Sequence, residues 1–132
     1  MPFNRGEASV TLQGPQGAEE HDLRLTFTAI CEIEERTKTD VFAIMQRMAQ
    51  GGISLATMTT IIWAGIRGAN EGTQKRNLTF DGVGERVLRT GIVELLVPVA
   101  EFMSKALAND KQIAEAEANA KKAKDLGENA GT

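Results

Sequence analysis

The spacing of apolar positions changes once along the chain, near Phe27. Before that point, every second residue is apolar over 8–13 and again over 22–27, a period that is typical of β-strands with one buried face. After it, apolar residues recur at the three-to-four-residue spacing of amphipathic helices. The pattern therefore predicts one antiparallel hairpin followed only by helices, and the predicted apolar face of the hairpin comprises Val10, Leu12, Leu23 and Leu25.

The two predicted strands are separated by residues 14–21, which include Gly14, Pro15 and Gly17. This connection is too long for a tight two-residue turn, so we expect a flexible loop. An isolated hairpin is only marginally stable in water. We therefore expect this hairpin to pack on the helices.

Capping residues and glycines divide the helical part into four to five helices. Gly51 and Gly52 end the second helix, Thr90 and Gly91 divide the fourth from the last, and Pro98 should bend the last one. The predicted N-terminal caps of the first four helices are, in order, Thr26 or Thr28, Asp40, Ser54 and Asp81. The predicted fold class is α+β, mostly α, with the hairpin packed on this helical bundle.

Helical spacing also predicts which side chains face the core. The predicted inward positions of the first four helices are Ile30, Ile33, Val41, Ile44, Met45, Met48, Leu55, Met58, Ile61, Ile62, Ile66, Val83, Val87 and Leu88. The last helix is apolar on more than one side, so it is either central in the core or covered by a partner. The candidate partner-binding residues are Trp63, Val97, Val99, Phe102 and Met103.

Composition changes after Asn109. Residues 110–132 contain Ile113 and Leu126 as their only large apolar side chains. A segment this polar has too little apolar surface to offset its ordering entropy. We therefore predict a single domain over 1–109, followed by a polar, partly helical or disordered tail over 110–132.

Charge and cysteine content restrict the class of protein. The net charge of the 132 residues is −3, and no basic tract is present, so binding to nucleic acid is not expected as the main role. The chain has no run of apolar residues long enough for a membrane span, and no membrane partner is expected. The single cysteine fits a reducing cytoplasm.

Residues that carry chemistry are few and scattered. His21 is the only histidine, and we expect it in a solvated loop; Cys31 is expected to be a buried small side chain. Glu32, Glu34 and Glu35 are followed directly by Arg36, which is typical of a solvated helix face. We therefore expect no catalytic residue, no metal and no cofactor, and a protein that is not an enzyme.

Several short stretches, taken in order, resemble the small tail assembly chaperone family of gene transfer agents and long-tailed phages. The similar stretches, within residues 3–108, are 3–8, 23–27, 32–37, the Trp-Ala-Gly-Ile-Arg-Gly of 63–68, the Val-Gly of 83–84 and the Pro-Val-Ala of 98–100. The resemblance implies a chaperone that binds the tape measure protein and the tail tube protein during tail morphogenesis. It also implies that the chain acts in the cytoplasm of the bacterial host and is absent from the mature particle.

Two other functions stay open. One is a structural tail component that is retained in the particle. The other is a small helical regulator that binds DNA through a helix-turn-helix made by the third and fourth helices, although exposed Lys and Arg are scarce there. Self-association into a homo-oligomer is a further expectation, because the chain has a surplus of apolar surface.

Overall fold

The computed structural model describes residues 7–108 and residue 118. It contains strands β1 (Glu7–Gly14) and β2 (Gly17–Arg24), followed by helices α1 (Phe27–Thr37), α2 (Val41–Ala49), α3 (Leu55–Asn70), α4 (Phe80–Thr90) and α5 (Ile92–Leu107). The predicted hairpin-plus-helix fold class is confirmed. The predicted tail lies outside the described residues apart from residue 118, so the division into a domain and a tail stays a prediction.

The hairpin is longer and its turn tighter than the sequence predicted. β1 and β2 pair from Glu7 with Arg24 to Gly14 with Gly17, which leaves only Pro15 and Gln16 in the turn. The predicted flexible loop over 14–21 is wrong. The first half of β2 was missed because its polar residues show no apolar alternation, although they pair regularly with β1.

The apolar face of the hairpin lies on the helices, as predicted. Val10, Leu12 and Leu23 are buried, and Leu25 is buried just beyond the end of β2. β1 packs against α4 and α5, and β2 packs against α3. An isolated hairpin needs this support to stay folded.

Glycine allows α3 to approach β2 closely. A β-carbon added at Gly65 would lie 3.2 Å from Cδ2 of Leu23, and one added at Gly68 would overlap the carbonyl oxygen of Arg24. The backbone of α3 therefore lies against the end of the hairpin. Side chains at these positions would force the two elements apart.

The helix caps are the residues predicted from the sequence, with one exception. Thr26, Asp40 and Ser54 cap α1, α2 and α3, each accepting a hydrogen bond from the backbone N–H three residues later. The cap of α4 is Thr79, whose Oγ1 accepts from the N–H of Gly82 at 3.0 Å, so the predicted Asp81 cap is wrong. Asp81 instead lies in the first turn, where its carboxylate interacts favourably with the positive end of the helix dipole.

One core joins the hairpin to all five helices, and it contains most of the predicted inward positions. Three side chains predicted to be buried are instead exposed: Leu55, Leu88 and Cys31. Leu55 is the first residue of α3, whereas Leu88 and Cys31 point away from the buried faces of α4 and α1. In the part of the chain that the structure describes, no helix is both long and apolar enough to cross a membrane.

Candidate interaction surface

The only histidine takes part in a link between the hairpin and α4. His21 Nε2 lies 2.9 Å from Oε1 of Glu19, and the same oxygen accepts a hydrogen bond of 2.7 Å from Nε of Arg86. The hydrogen bond from Arg86 and, second, that with His21 lower the pKa of the Glu19 carboxyl. His21 is therefore a partly buried strand residue, and the predicted solvated loop position is wrong.

The other residues considered for chemistry do not converge. Cys31 is exposed on α1. Glu32 lies 3.5 Å from Nη1 of Arg67, whereas Glu34 accepts a hydrogen bond of 3.1 Å from the N–H of Val41 at the start of α2. Within the described residues, no three His, Cys, Asp or Glu side chains are placed to hold a metal ion. The absence of enzymatic activity stays a prediction.

Trp63 lies in an aromatic and cationic cluster that the sequence did not predict. The guanidinium carbon of Arg36 is 4.6 Å from the Trp63 ring centre and 4.5 Å from that of Phe80, and Arg67 lies 4.7 Å from the Trp63 ring. Trp63 and Phe80 meet edge to face with ring centres 5.8 Å apart. The cluster joins α1, α3 and α4, and it already occupies much of the Trp63 ring with cation–π contacts.

The candidate partner-binding residues divide into core and surface. Val99, Phe102 and Met103 are at most 1% exposed, so they form the core and present no surface to a partner in this fold. Trp63 is half-buried, and Val97 is 65% exposed. The assignment of Trp63 and Val97 to a partner surface stays a prediction.

One face of α5 is apolar and open to solvent. Val93 is 79% exposed and Val97 65%, and the half-buried Leu96 and Ala100 lie on the same side of the helix. We name these four residues the α5 strip. One side of α5 is therefore core, and the other is an apolar surface in contact with solvent. Coverage of that surface by a partner stays a prediction.

A groove lies between the edge of β1 that faces away from β2 and the helices beside it. Its volume is about 570 Å³. Its strand side includes Ser9, Thr11 and Gln13, and its helix side includes Thr90, Glu94 and Pro98. We name it the β1 groove. Sequence reasoning missed it because the groove depends on where α4 ends against the strand.

The predicted DNA-binding arrangement does not fit this fold. α3 packs against β2, α1 and α4, and most of its side chains from Met58 to Gly68 are buried. The recognition helix would be α4, the second of the pair, and its exposed positions include Asp81 and Glu85, whose carboxylates DNA phosphates would repel. Residues 71–79 separate the two helices, whereas a helix-turn-helix uses a turn of about three to four residues.

The fold and its surfaces define a class: a small hairpin-and-helix protein with an exposed apolar strip on its last helix and a groove beside a strand edge. The family that the chain belongs to is shown by its sequence. A family model described as "Phage tail tube protein, GTA-gp10" matches residues 5–109, and the chain belongs to that family. No significant match was found among curated proteins or among solved structures.

Family membership confirms the predicted relation to tails of phages and gene transfer agents and corrects the predicted role. The tail assembly chaperone is wrong, because the family is described as a tail tube protein, a structural part of the tail. The alternative of a structural component fits better. The stretches that carried the resemblance include Gly65, Gly68 and Val99, which act in packing, and packing residues do not distinguish a retained subunit from one that leaves.

Proposed function

We propose that this protein is a structural subunit of a phage-like tail and that it is retained in the finished particle. The observation that carries the proposal is the family match over residues 5–109, which spans every strand and helix of the described domain. The whole fold, rather than one motif, is thus the unit shared with a family described as a tail tube protein.

The exposed apolar surface supports a role in assembly. A small domain gains nothing in its own stability from Val93 and Val97, which remain in contact with water. A subunit that is covered by neighbours in an assembly would bury such side chains and gain about 25 cal/mol for each Å² removed from water. We therefore assign the α5 strip to contacts between tail subunits.

The proposed partners are other tail components, including tail tube subunits and the tape measure protein. A tube made of repeated subunits requires at least one surface that binds a different surface on the next copy. The α5 strip and the β1 groove lie on different sides of α5, so both can be covered at once. Self-association in the tail is accordingly part of this proposal.

The proposed location changes with the role. Tails assemble in the cytoplasm of the bacterial host, and we propose that the chain is made there. A structural subunit then leaves the cell inside the particle.

Sedimentation of particles tests the proposal. Particles are purified on a density gradient, treated with protease to remove adhering protein, and probed for this chain alongside a capsid protein. The chain is expected to sediment with tailed particles and to be missing from tailless heads separated on the same gradient. Finding it only in the soluble fraction of the lysate, although tailed particles form, would overturn the proposal.

A matched pair of variants tests the α5 strip. Val97→Lys is expected to leave the domain folded, since this side chain is largely exposed, but to reduce incorporation into particles. Leu88→Lys is the control, because it introduces the same cation at a similarly exposed apolar position of α4, outside the strip. Equal incorporation of the two variants would exclude the strip as a contact surface.

A further inference from the structure

We propose that the edge of β1 opposite β2 receives an extended, basic segment of another tail polypeptide, which adds to the hairpin as a third, antiparallel strand. The assignment of the segment to a tail polypeptide rests on the proposed function. The strand edge and its chemistry rest on the hairpin register and on the β1 groove alone.

Hairpin register determines which backbone groups of β1 are available. Gly14 and Gly17 close the two-residue turn, so the N–H and C=O groups of even-numbered β1 residues point towards β2. Those of Ser9, Thr11 and Gln13 point to the opposite edge. The hydrogen bond of 2.8 Å from the N–H of Gln13 to Oγ1 of Thr90, which lies outside the hairpin, agrees with this assignment.

Thr90 also limits where a strand can pair. It occupies the outward N–H at Gln13, near the turn, whereas no hydrogen bond to the outward N–H of Ser9 or Thr11 is present among the described residues. A row of backbone donors and acceptors on a strand edge is matched by the backbone of another extended chain. Within the part of the chain that the structure describes, the open part of the edge therefore runs from Thr11 towards Glu7.

The two faces of the proposed strand meet different surroundings. On the core side, Val10 and Leu95 are almost fully buried next to the groove and provide an apolar floor. On the solvent side, Ser9 and Thr11 stand opposite Asp22 and Glu20 of β2. Side chains of a strand alternate between its faces, so the fitting segment alternates apolar with long polar residues.

Charge favours a basic segment over a second copy of β1. Glu94 lines the helix side of the groove, Glu20 and Asp22 lie on the adjacent solvent face, and no Lys or Arg is among the described lining residues. Nζ of Lys75 lies 3.8 Å from Oδ2 of Asp22, and both side chains are exposed. This ion pair therefore offsets little of the negative charge. A second copy would bring the same carboxylates to the interface, whereas Lys or Arg would be attracted.

The test uses the full-length ¹⁵N-labelled protein and an acetylated, amidated heptapeptide of alternating lysine and valine. Peptide binding is expected to shift the amide signals of Ser9 and Thr11 and to slow their hydrogen exchange by about tenfold or more. The Gln13 amide is the internal control, since it already has a partner, and its exchange should change little. Unchanged exchange at Ser9 and Thr11 at millimolar peptide would overturn the proposal.

Backbone methylation of the peptide separates strand addition from charge attraction without any protein variant. In an antiparallel strand with valines on the apolar floor, the lysine N–H groups face β1 and the valine N–H groups face away. Methylating the backbone nitrogen of the central lysine should weaken binding about tenfold or more, and methylating that of a neighbouring valine should have little effect. Equal weakening by the two modifications would contradict strand addition, and equal binding of a glutamate-for-lysine peptide would contradict the basic preference.

The outcomes separate this inference from the proposed function. If the chain is present in particles and the peptide does not protect Ser9 and Thr11, the strand edge is wrong and the structural role stands. If the peptide binds as expected and the chain is absent from particles, the structural role is wrong and the strand edge stands.

Discussion

Replacing Gly68 by alanine is expected to destabilise the protein, although alanine is the better helix former. Gly68 lies in the last turns of α3, where an added β-carbon would overlap the carbonyl oxygen of Arg24 at the end of β2. That oxygen belongs to the backbone and moves only if the connection from β2 to α1 moves with it. The substitution therefore tests the closest approach between the hairpin and the helices.

The expected magnitude combines two opposing terms. Alanine in a helix interior is favoured over glycine by about 1 kcal/mol. Overpacking typically costs about 1–3 kcal/mol, and an overlap with backbone places Gly68 at the upper end of that range. The expected net loss is about 2 kcal/mol in the free energy of unfolding, or a fall in Tm of about 9 °C for a domain of this size.

Gly84→Ala is the matched control, because Gly84 also lies inside a helix. There an added β-carbon meets Thr59 at the ordinary contact distance of 3.5 Å, so the change should stabilise by about 0.5–1 kcal/mol. Urea titration followed by circular dichroism at 222 nm (the helix signal) measures both variants. If Gly68→Ala is as stable as the parent protein, the described packing of α3 on β2 is refuted.

Three other changes test separate parts of the structure. Phe102→Ala should cost about 3–5 kcal/mol by urea titration because its ring is 1% exposed in the core, and a loss under about 1 kcal/mol would place the ring at the surface. Pairing with Arg86 lowers the pKa of the Glu19 carboxyl below 4.5, so the pair stabilises the fold above that pH and is lost as the pH falls through the folded-state pKa. Glu19→Gln should therefore lose less stability in acid than the parent protein does. Identical acid profiles of the two proteins would contradict the pairing. The exposed thiol of Cys31 should react with an aromatic disulfide reagent without denaturant, whereas reaction only after unfolding would show that it is buried.

The helices could be predicted because local chemistry determines where they begin and end. Thr26, Asp40 and Ser54 act at the caps where their side-chain oxygens were expected to act, and Gly91 separates the last two helices. Capping depends on a residue and its next three neighbours, so it can be predicted from a single sequence. Core faces with regular spacing, such as Val83 with Val87, were predictable for the same reason.

The second strand and the surfaces could not be predicted because they depend on distant partners. Glu19 faces the helices in β2 because Arg86, 67 residues later, neutralises it, and nothing near Glu19 indicates that pairing. The cluster of Arg36 with Trp63 and Phe80 and the β1 groove also arise from contacts between separate elements. The predicted chaperone role was wrong for a related reason. It rested on residues that act in packing, and such residues do not indicate whether a subunit stays in the assembly.

The number of copies in purified particles tests the central claim most directly. Isotope-labelled reference peptides allow mass spectrometry to count this chain against a capsid subunit in gradient-purified, protease-treated particles. A structural tail subunit should be present in many copies per tailed particle, in a constant ratio to the capsid subunit across preparations. Tailed particles that contain no more of this chain than tailless heads do would contradict the account.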